Sequence, residues 1–165
     1  METLSFKDHD HSRCISNALG SAERICEERS VRFTPLRRRV LELVWQSHGP
    51  IGAYEVLDRL RAERRRAAPP TVYRALQFLG DEGFVHRIES LNAYVGCTTP
   101  ESRHNAQYLI CGLCGEVAEI DVDEITSAIH HRAGDFGFEV RRQTVEVAGL
   151  CSRCRVEQGD GTSFD

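Results

Sequence analysis

A chain of 165 residues with 41% hydrophobic side chains is long enough to bury a core, as one ordinary domain or two small ones. No run approaches 18 consecutive apolar residues, and the start lacks a basic stretch followed by an apolar one, which excludes a helical membrane span and leads to the expectation of a cytoplasmic protein. The net charge of -4 argues against a nucleic-acid partner only until it is divided along the chain. Residues 1–90 carry 15 basic and 13 acidic side chains and residues 91–165 carry 6 and 12, while residues 29–74 alone hold 11 arginines against Glu42, Glu55, Asp58 and Glu63. A basic module is followed by an acidic one.

In chain order, residues 1–18 are polar and without periodicity and are expected to form a mobile tail, with His9 and His11 idle. A weak helical pattern follows at 21–29 (Ala22, Ile25, Cys26). The next helix opens at Thr34-Pro35, an N-cap and a proline at the first helical position, with the stripe Leu36, Val40, Leu43 and Val44. Another begins near Ala53 and buries Val56, Leu57 and Leu60. A third begins at Pro69-Pro70-Thr71 and buries Val72, Ala75, Leu76 and Leu79, which leaves Thr71, Tyr73, Arg74 and Gln77 off the apolar stripe; Gly83 is placed to end it.

Strand-like runs at 84–89 and 93–97, joined through Ser90-Leu91-Asn92, complete a winged helix-turn-helix. The remainder predicts a strand at 106–111, a tight turn, a strand at 116–121, a helix at 122–133 and a strand at 138–148. A change of apolar parity between Val140 and Val145 points to a bulge near 141–144 in that last strand. The fold class is therefore α+β: a winged-helix domain over 19–97, a hinge at 98–104, a small α/β domain over 105–156 and a mobile tail at 157–165.

Cys111-x-x-Cys114 and Cys151-x-x-Cys154 lie at strand ends, 36 residues apart. Four thiolates surround one Zn²⁺ tetrahedrally and leave no open position, so the site reads as structural; Gly112 and Gly115 give the backbone room to curl. Redox pairs or an iron–sulfur cluster are the competing readings. A second set of ligand types is His86 on the first wing strand, Cys97 after the second, His104 in the linker and Glu119 beyond the first knuckle. Each alone has an ordinary explanation, as a surface histidine, a buried thiol or a solvated strand residue. Together they supply two imidazoles, a thiolate and a carboxylate, a suitable shell for zinc.

Pro69-Pro70-Thr71-Val72-Tyr73-Arg74-Ala75-Leu76, then Gly83-Phe84-Val85-His86, then the two C-x-x-C pairs, resemble the ferric uptake regulator family from about residue 21 to 156. The resemblance implies a homodimeric, metal-dependent transcriptional repressor of double-stranded operator DNA, with no membrane partner, no catalytic residues and no small-molecule substrate other than metal. In the zinc-sensing branch of that family the regulatory ligands correspond to His86, Cys97, His104 and Glu119, which implies about two zinc ions per chain, one structural and one regulatory. Iron-sensing members carry a histidine and aspartate cluster before the first C-x-x-C; here His104-Asn105-Ala106-Gln107-Tyr108 keeps one such ligand, and Cys97 adds a soft one.

An iron or other metal-responsive regulator is the alternative within the family, and a zinc hydrolase or deaminase built on His86, Cys97, His104 and Glu119 the alternative outside it. For DNA, the helix from Pro70 enters the major groove with Arg74 aimed at a guanine edge. Thr71 and Tyr73 meet phosphates, and Arg37, Arg38 and the run 64–66 add charge. The resemblance places Tyr54 at the same surface. His130 and His131 on the later helix are surface residues or parts of a weaker third metal site.

Overall fold

The structure, a computed structural model, describes residues 11–47, 49–63, 66–102 and 105–158. The described chain parts into two units, residues 11–102 and residues 105–158. The first holds helices α1 (His11–Glu28), α2 (Pro35–Gln46), α3 (Ala53–Ala62) and α4 (Pro69–Asp81) and strands β1 (Val85–Ile88) and β2 (Ala93–Gly96). The second holds β3 (Ala106–Cys111), β4 (Val117–Ile120), helix α5 (Asp123–Asp135), β5 (Thr144–Gly149) and helix α6 (Ser152–Gln158).

In the first unit the helix ends follow from local chemistry. The Arg37 N–H donates to Thr34 Oγ1 at 3.3 Å, so Thr34 caps α2 ahead of Pro35. Helix α4 has no side-chain cap, because Ala68 at the N-cap position carries no acceptor; Pro69 and Pro70 have no N–H to satisfy, and the Thr71 N–H donates to Ala68 O at 2.9 Å. Gly83, at φ 82, turns the chain out of α4, and the Phe84 N–H reaches Leu79 O at 2.8 Å. The expected stripes form the core: Val40, Leu43 and Val44 of α2, Val56, Leu57 and Leu60 of α3, and Val72, Ala75, Leu76 and Leu79 of α4 are buried, while Leu36, expected with the α2 stripe, is half-buried at the first turn. Strands β1 and β2 pair antiparallel from Val85↔Gly96 to Ile88↔Ala93, and Ile51 bridges to Tyr94 on the other side of β2. This is the winged helix-turn-helix.

Three expectations are corrected. Helix α1 begins at His11, so residues 11–18 are helical rather than an unstructured tail; its buried stretch Leu19, Ala22, Ile25 and Cys26 anchors the helix, which then propagates into polar turns that carry no stripe of their own. The expected strand at 138–148 is shorter. Residues 138–143 have no strand partner and β5 starts at Thr144, so the parity change marks the strand's beginning and not a bulge within it. Helix α6 extends the ordered chain to Gln158, past the tail expected from 157; residues 159–165, like residues 1–10, lie outside the described residues. Of the expected hinge, residues 99–102 form a turn in which the Ser102 N–H donates to Thr99 O, and Arg24 of α1 pairs with Glu101 at 3.0 Å.

The second unit is a three-stranded sheet in the order β4-β3-β5. Strands β3 and β4 are antiparallel and joined by the first cysteine turn, whereas β5 returns through α5 to lie parallel to β3, with Ala106↔Thr144 and Cys111↔Gly149 in register. Its core is thin: Ala106, Tyr108, Ile110, Ala118, Cys111, Cys151 and Cys154 are buried, Cys114 is exposed, and α5 buries no residue. Gln107, fully buried, donates from Nε2 to Val122 O and Thr126 Oγ1 and so ties the start of α5 to the sheet.

Candidate metal centre and nucleic-acid interface

The register of β3 and β5 brings the two C-x-x-C pairs together, because Cys111 ends β3 opposite Gly149 and Cys151 stands two residues beyond Gly149, the end of β5. The ligand atoms of Cys111, Cys114, Cys151 and Cys154 all lie within 4.8 Å of one another, and Cys114 Sγ is 3.8 Å from Cys151 Sγ. A tetrahedral ion with metal–sulfur bonds of about 2.3 Å has sulfur–sulfur edges of about 3.8 Å, so the donor set fits zinc in both chemistry and spacing. Gly115, at φ 71, lets its N–H return to Cys111 O at 2.9 Å and closes the first knuckle. Gly112 lies outside the left-handed region, so only one of the two glycines expected to shape this turn is needed for its backbone angle.

The peptide dipoles favour a thiolate at Cys111. Hydrogen bonds from the backbone of Cys114, and then of Cys151, pull the Cys111 thiol down to about 6; the Cys151 N–H stands 3.4 Å from Cys111 Sγ. Burial, and then the neighbouring sulfur of Cys151, push Cys154 up to about 12. Four thiols in one pocket cannot all ionise without a cation between them, and a divalent ion supplies that charge. Outside the set, Arg153 Nη2 lies 3.3 Å from Glu116 Oε2, and the Cys114 thiol is 3.6 Å from the same oxygen. Cys114, and then Glu116, raise the Arg153 guanidinium above its ordinary value, so sequence reading missed a cation beside the sulfurs.

The second expected ligand set is distributed over both units. His86 of β1 is opposite Val95, and the Cys97 N–H continues the ladder to Phe84 O at 2.9 Å. By the alternation of strands, His86 and Cys97 therefore stand on one face of the wing; His86 is half-buried and Cys97 buried. Glu119 is on β4 of the other unit, opposite Tyr108, and His104 lies outside the described residues. His130 and His131 are exposed on α5 and join no cluster of metal-ligating side chains among the described residues.

On α4 the side opposite the core presents Tyr73, Arg74 and Gln77 to solvent, with Thr71 half-buried at its rim. Tyr54, at the start of α3, is 65% exposed and meets Tyr73, 44% exposed, edge to face with ring centroids 6.5 Å apart. Neither tyrosine belongs to the core.

Many neighbouring arginines are already engaged inside the unit. Arg38 pairs with Glu23, Arg39 with Glu42 and Glu63, Arg59 with Glu55, and Arg29 with Glu82 at 2.9 Å. Arg37 stacks on Phe78, its Cζ 3.5 Å from the ring centroid, and donates to Arg32 O. The expectation that Arg38 adds free charge at the DNA surface is thus corrected: a glutamate neutralises it. Among the described residues, the guanidinium groups of Arg32, Arg61, Arg66 and Arg74 make no ion pair or hydrogen bond; Arg64 and Arg65 lie outside them.

Comparison with known proteins agrees with this architecture. The chain is 44% identical over 137 residues to the zinc uptake regulation protein of Escherichia coli (strain K12), covering 82% of this chain and 80% of that one. It is 30% identical over 128 residues to the zinc uptake regulation protein of Mycobacterium tuberculosis (strain ATCC 25618 / H37Rv), covering 76% and 95%. A solved zinc uptake regulator complexed with zinc and DNA superposes with a TM-score of 0.84 at 42% identity, covering 88% of this chain and 98% of that one. The family model of the ferric uptake regulator family matches residues 28–148, from the end of α1 through both units to β5, and the chain belongs to that family.

Proposed function

We propose that this protein is a zinc-responsive transcriptional repressor that acts in the cytoplasm as a homodimer, binds palindromic operator DNA and silences zinc-uptake genes. The observation that carries the reading is that His86 and Cys97 share one face of a wing built directly onto α4, the helix that bears Arg74. Similarity to zinc uptake regulators supports zinc as the signal and DNA as the target. An ion held by residues of the wing acts on the element next to the DNA-reading helix.

Cys111, Cys114, Cys151 and Cys154 would hold a permanent structural zinc, and His86, Cys97, His104 and Glu119 an exchangeable one, about two ions per chain. When bound, zinc supplies a tetrahedral template that joins its ligands. His86 and Cys97 belong to the winged unit and Glu119 to the sheet unit, so a shell that includes both restricts the freedom of one unit against the other. In a dimer that restriction sets the separation of two α4 helices to match two half-sites. A coupling of about 1–3 kcal/mol changes operator affinity roughly 5- to 150-fold, which is enough for a switch.

The surface of the second unit supports dimerisation. Strand β5 is parallel to β3 yet largely exposed, whereas parallel strands are normally covered on both faces. Leu109 and Val147 on that sheet, and Phe136 and Phe138 after α5, are exposed apolar groups that a second copy would cover. Tyr54, Thr71, Tyr73 and Arg74 would contact DNA, Arg74 at a base edge and the others chiefly at the backbone.

A gel-shift titration of the purified protein with zinc tests the proposal. Wild type is expected to bind its operator only as zinc rises. Cys97→Ser is expected to keep the zinc bound by the four cysteines and lose that response; a variant that responds as wild type does would refute the sensor assignment.

A further inference from the structure

We infer that Gln77 is a base-reading residue: its side-chain amide recognises an adenine within about two base pairs of the guanine read by Arg74. The inference rests on the DNA-binding reading above and adds to it a specificity determinant.

Helix α4 turns by about 100° per residue, so residue 77 stands about 40° from Tyr73 and about 60° from Arg74 around the axis. Gln77 therefore occupies the middle of the outward face, with Tyr73 on one side and Arg74 on the other, opposite the buried row Val72, Ala75, Leu76 and Leu79. Its amide is exposed and makes no hydrogen bond among the described residues. By contrast Arg29, Arg38, Arg39 and Arg59 nearby close ion pairs with glutamates of the same unit. The winged unit spends most of its polar side chains on itself and leaves Arg74 and Gln77 unspent at the centre of one face.

The spacing suits the major groove. Three residues advance about 4.5 Å along a helix, and successive base pairs are about 3.4 Å apart, so Arg74 and Gln77 address neighbouring steps. Their chemistry differs in the manner that separates base pairs. A guanidinium donates twice, to guanine O6 and N7, whereas a carboxamide donates once and accepts once, which matches adenine N7 and N6. Asp81, one turn further along the same face, is exposed and carries the charge that phosphates repel. The helix is thus able to enter the groove with its N-terminal and middle turns, and Gln77 is the last uncharged polar side chain before that carboxylate.

The test is selection of zinc-dependent binding sites from a pool of random-sequence DNA duplexes, with sequencing of the bound fraction, for wild type, Arg74→Ala, Gln77→Ala and Gln77→Glu. An exposed helical glutamine tolerates both substitutions, so folding is retained. In the expected result, wild type enriches a site in which Arg74→Ala erases a guanine preference. Gln77→Ala lowers an adenine preference about 5- to 150-fold within two base pairs of it, and Gln77→Glu moves that preference to cytosine, whose N4 amino group a carboxylate accepts. If wild type enriches an operator and Gln77→Ala enriches the same one with the same base preferences, even at weaker overall affinity, the inference is overturned while the proposed function stands. If wild type enriches nothing with zinc, the proposed function fails and takes the inference with it.

Discussion

The indole of Trp45 packs against Gly96: a Cβ added at Gly96 would fall 2.5 Å from Nε1 and 2.8 Å from Cζ2. Helix α2 thereby grips the end of β2 at the residue before Cys97, and no side chain larger than hydrogen fits between them. Gly96→Ala is expected to cost about 1–3 kcal/mol through overpacking, lowering the melting temperature of the winged unit by several degrees. Because Trp45 is the chain's one tryptophan, its emission reports on this contact. Zinc titration is expected to shift that emission in wild type and leave it unmoved in Cys97→Ser, read by fluorescence.

Removing a ligand of the four-cysteine set should unfold the sheet unit, whose own core is thin. Cys114→Ser is expected to lose one zinc per chain and the folded dimer together, since such sites contribute on the order of 10–16 kcal/mol of folding free energy. Elemental analysis and a melting curve check this; a normal melt with the zinc missing would contradict a structural role.

Arg153 places a cation beside those sulfurs, where it offsets the negative charge that four thiolates bring to one divalent ion. Arg153→Glu is expected to weaken retention of the structural zinc about 10- to 100-fold, while Arg153→Lys holds close to wild type. Competition with a chromogenic chelator gives the comparison.

The ion pairs of the winged unit divide its arginines into two groups with different effects on DNA. Arg74→Ala is expected to cost about 1–3 kcal/mol of operator affinity. Arg38→Ala should change the salt dependence little, because Glu23 already neutralises that charge. Fluorescence anisotropy over a series of salt concentrations separates the two; equal loss in both variants would contradict the assignment.

Burial raises the Cys26 thiol above 9.0, with Glu82 adding to the shift. In the unfolded chain that thiol ionises first, so stability is complete below about pH 9 and falls as pH rises beyond it. Cys26→Ala removes this contribution. Its melting temperature is expected to start below that of wild type and to approach it as pH rises above about 9.

Much of this protein was legible from local patterns. The stripes on α2, α3 and α4, the proline start of α4, the glycine at its end and the two C-x-x-C pairs each depend on residues within a few turns of one another, and each formed as expected. Local patterns were silent where stability comes from elsewhere in the chain. The first turns of α1 are helical because Leu19 to Cys26 are anchored, β5 begins where β3 offers a partner, and α6 starts within the second knuckle and carries Cys154. The same limit applies to the two surfaces that matter for function. Sequence counts charges but cannot say which are spent: Arg39 meets Glu63 across 24 residues and Arg29 meets Glu82 across 53, pairings that only packing creates. Composition therefore announced a basic module, and the tertiary structure decided which side chains of that module remain available, because an ion pair is a property of distance in space and not of spacing along the chain.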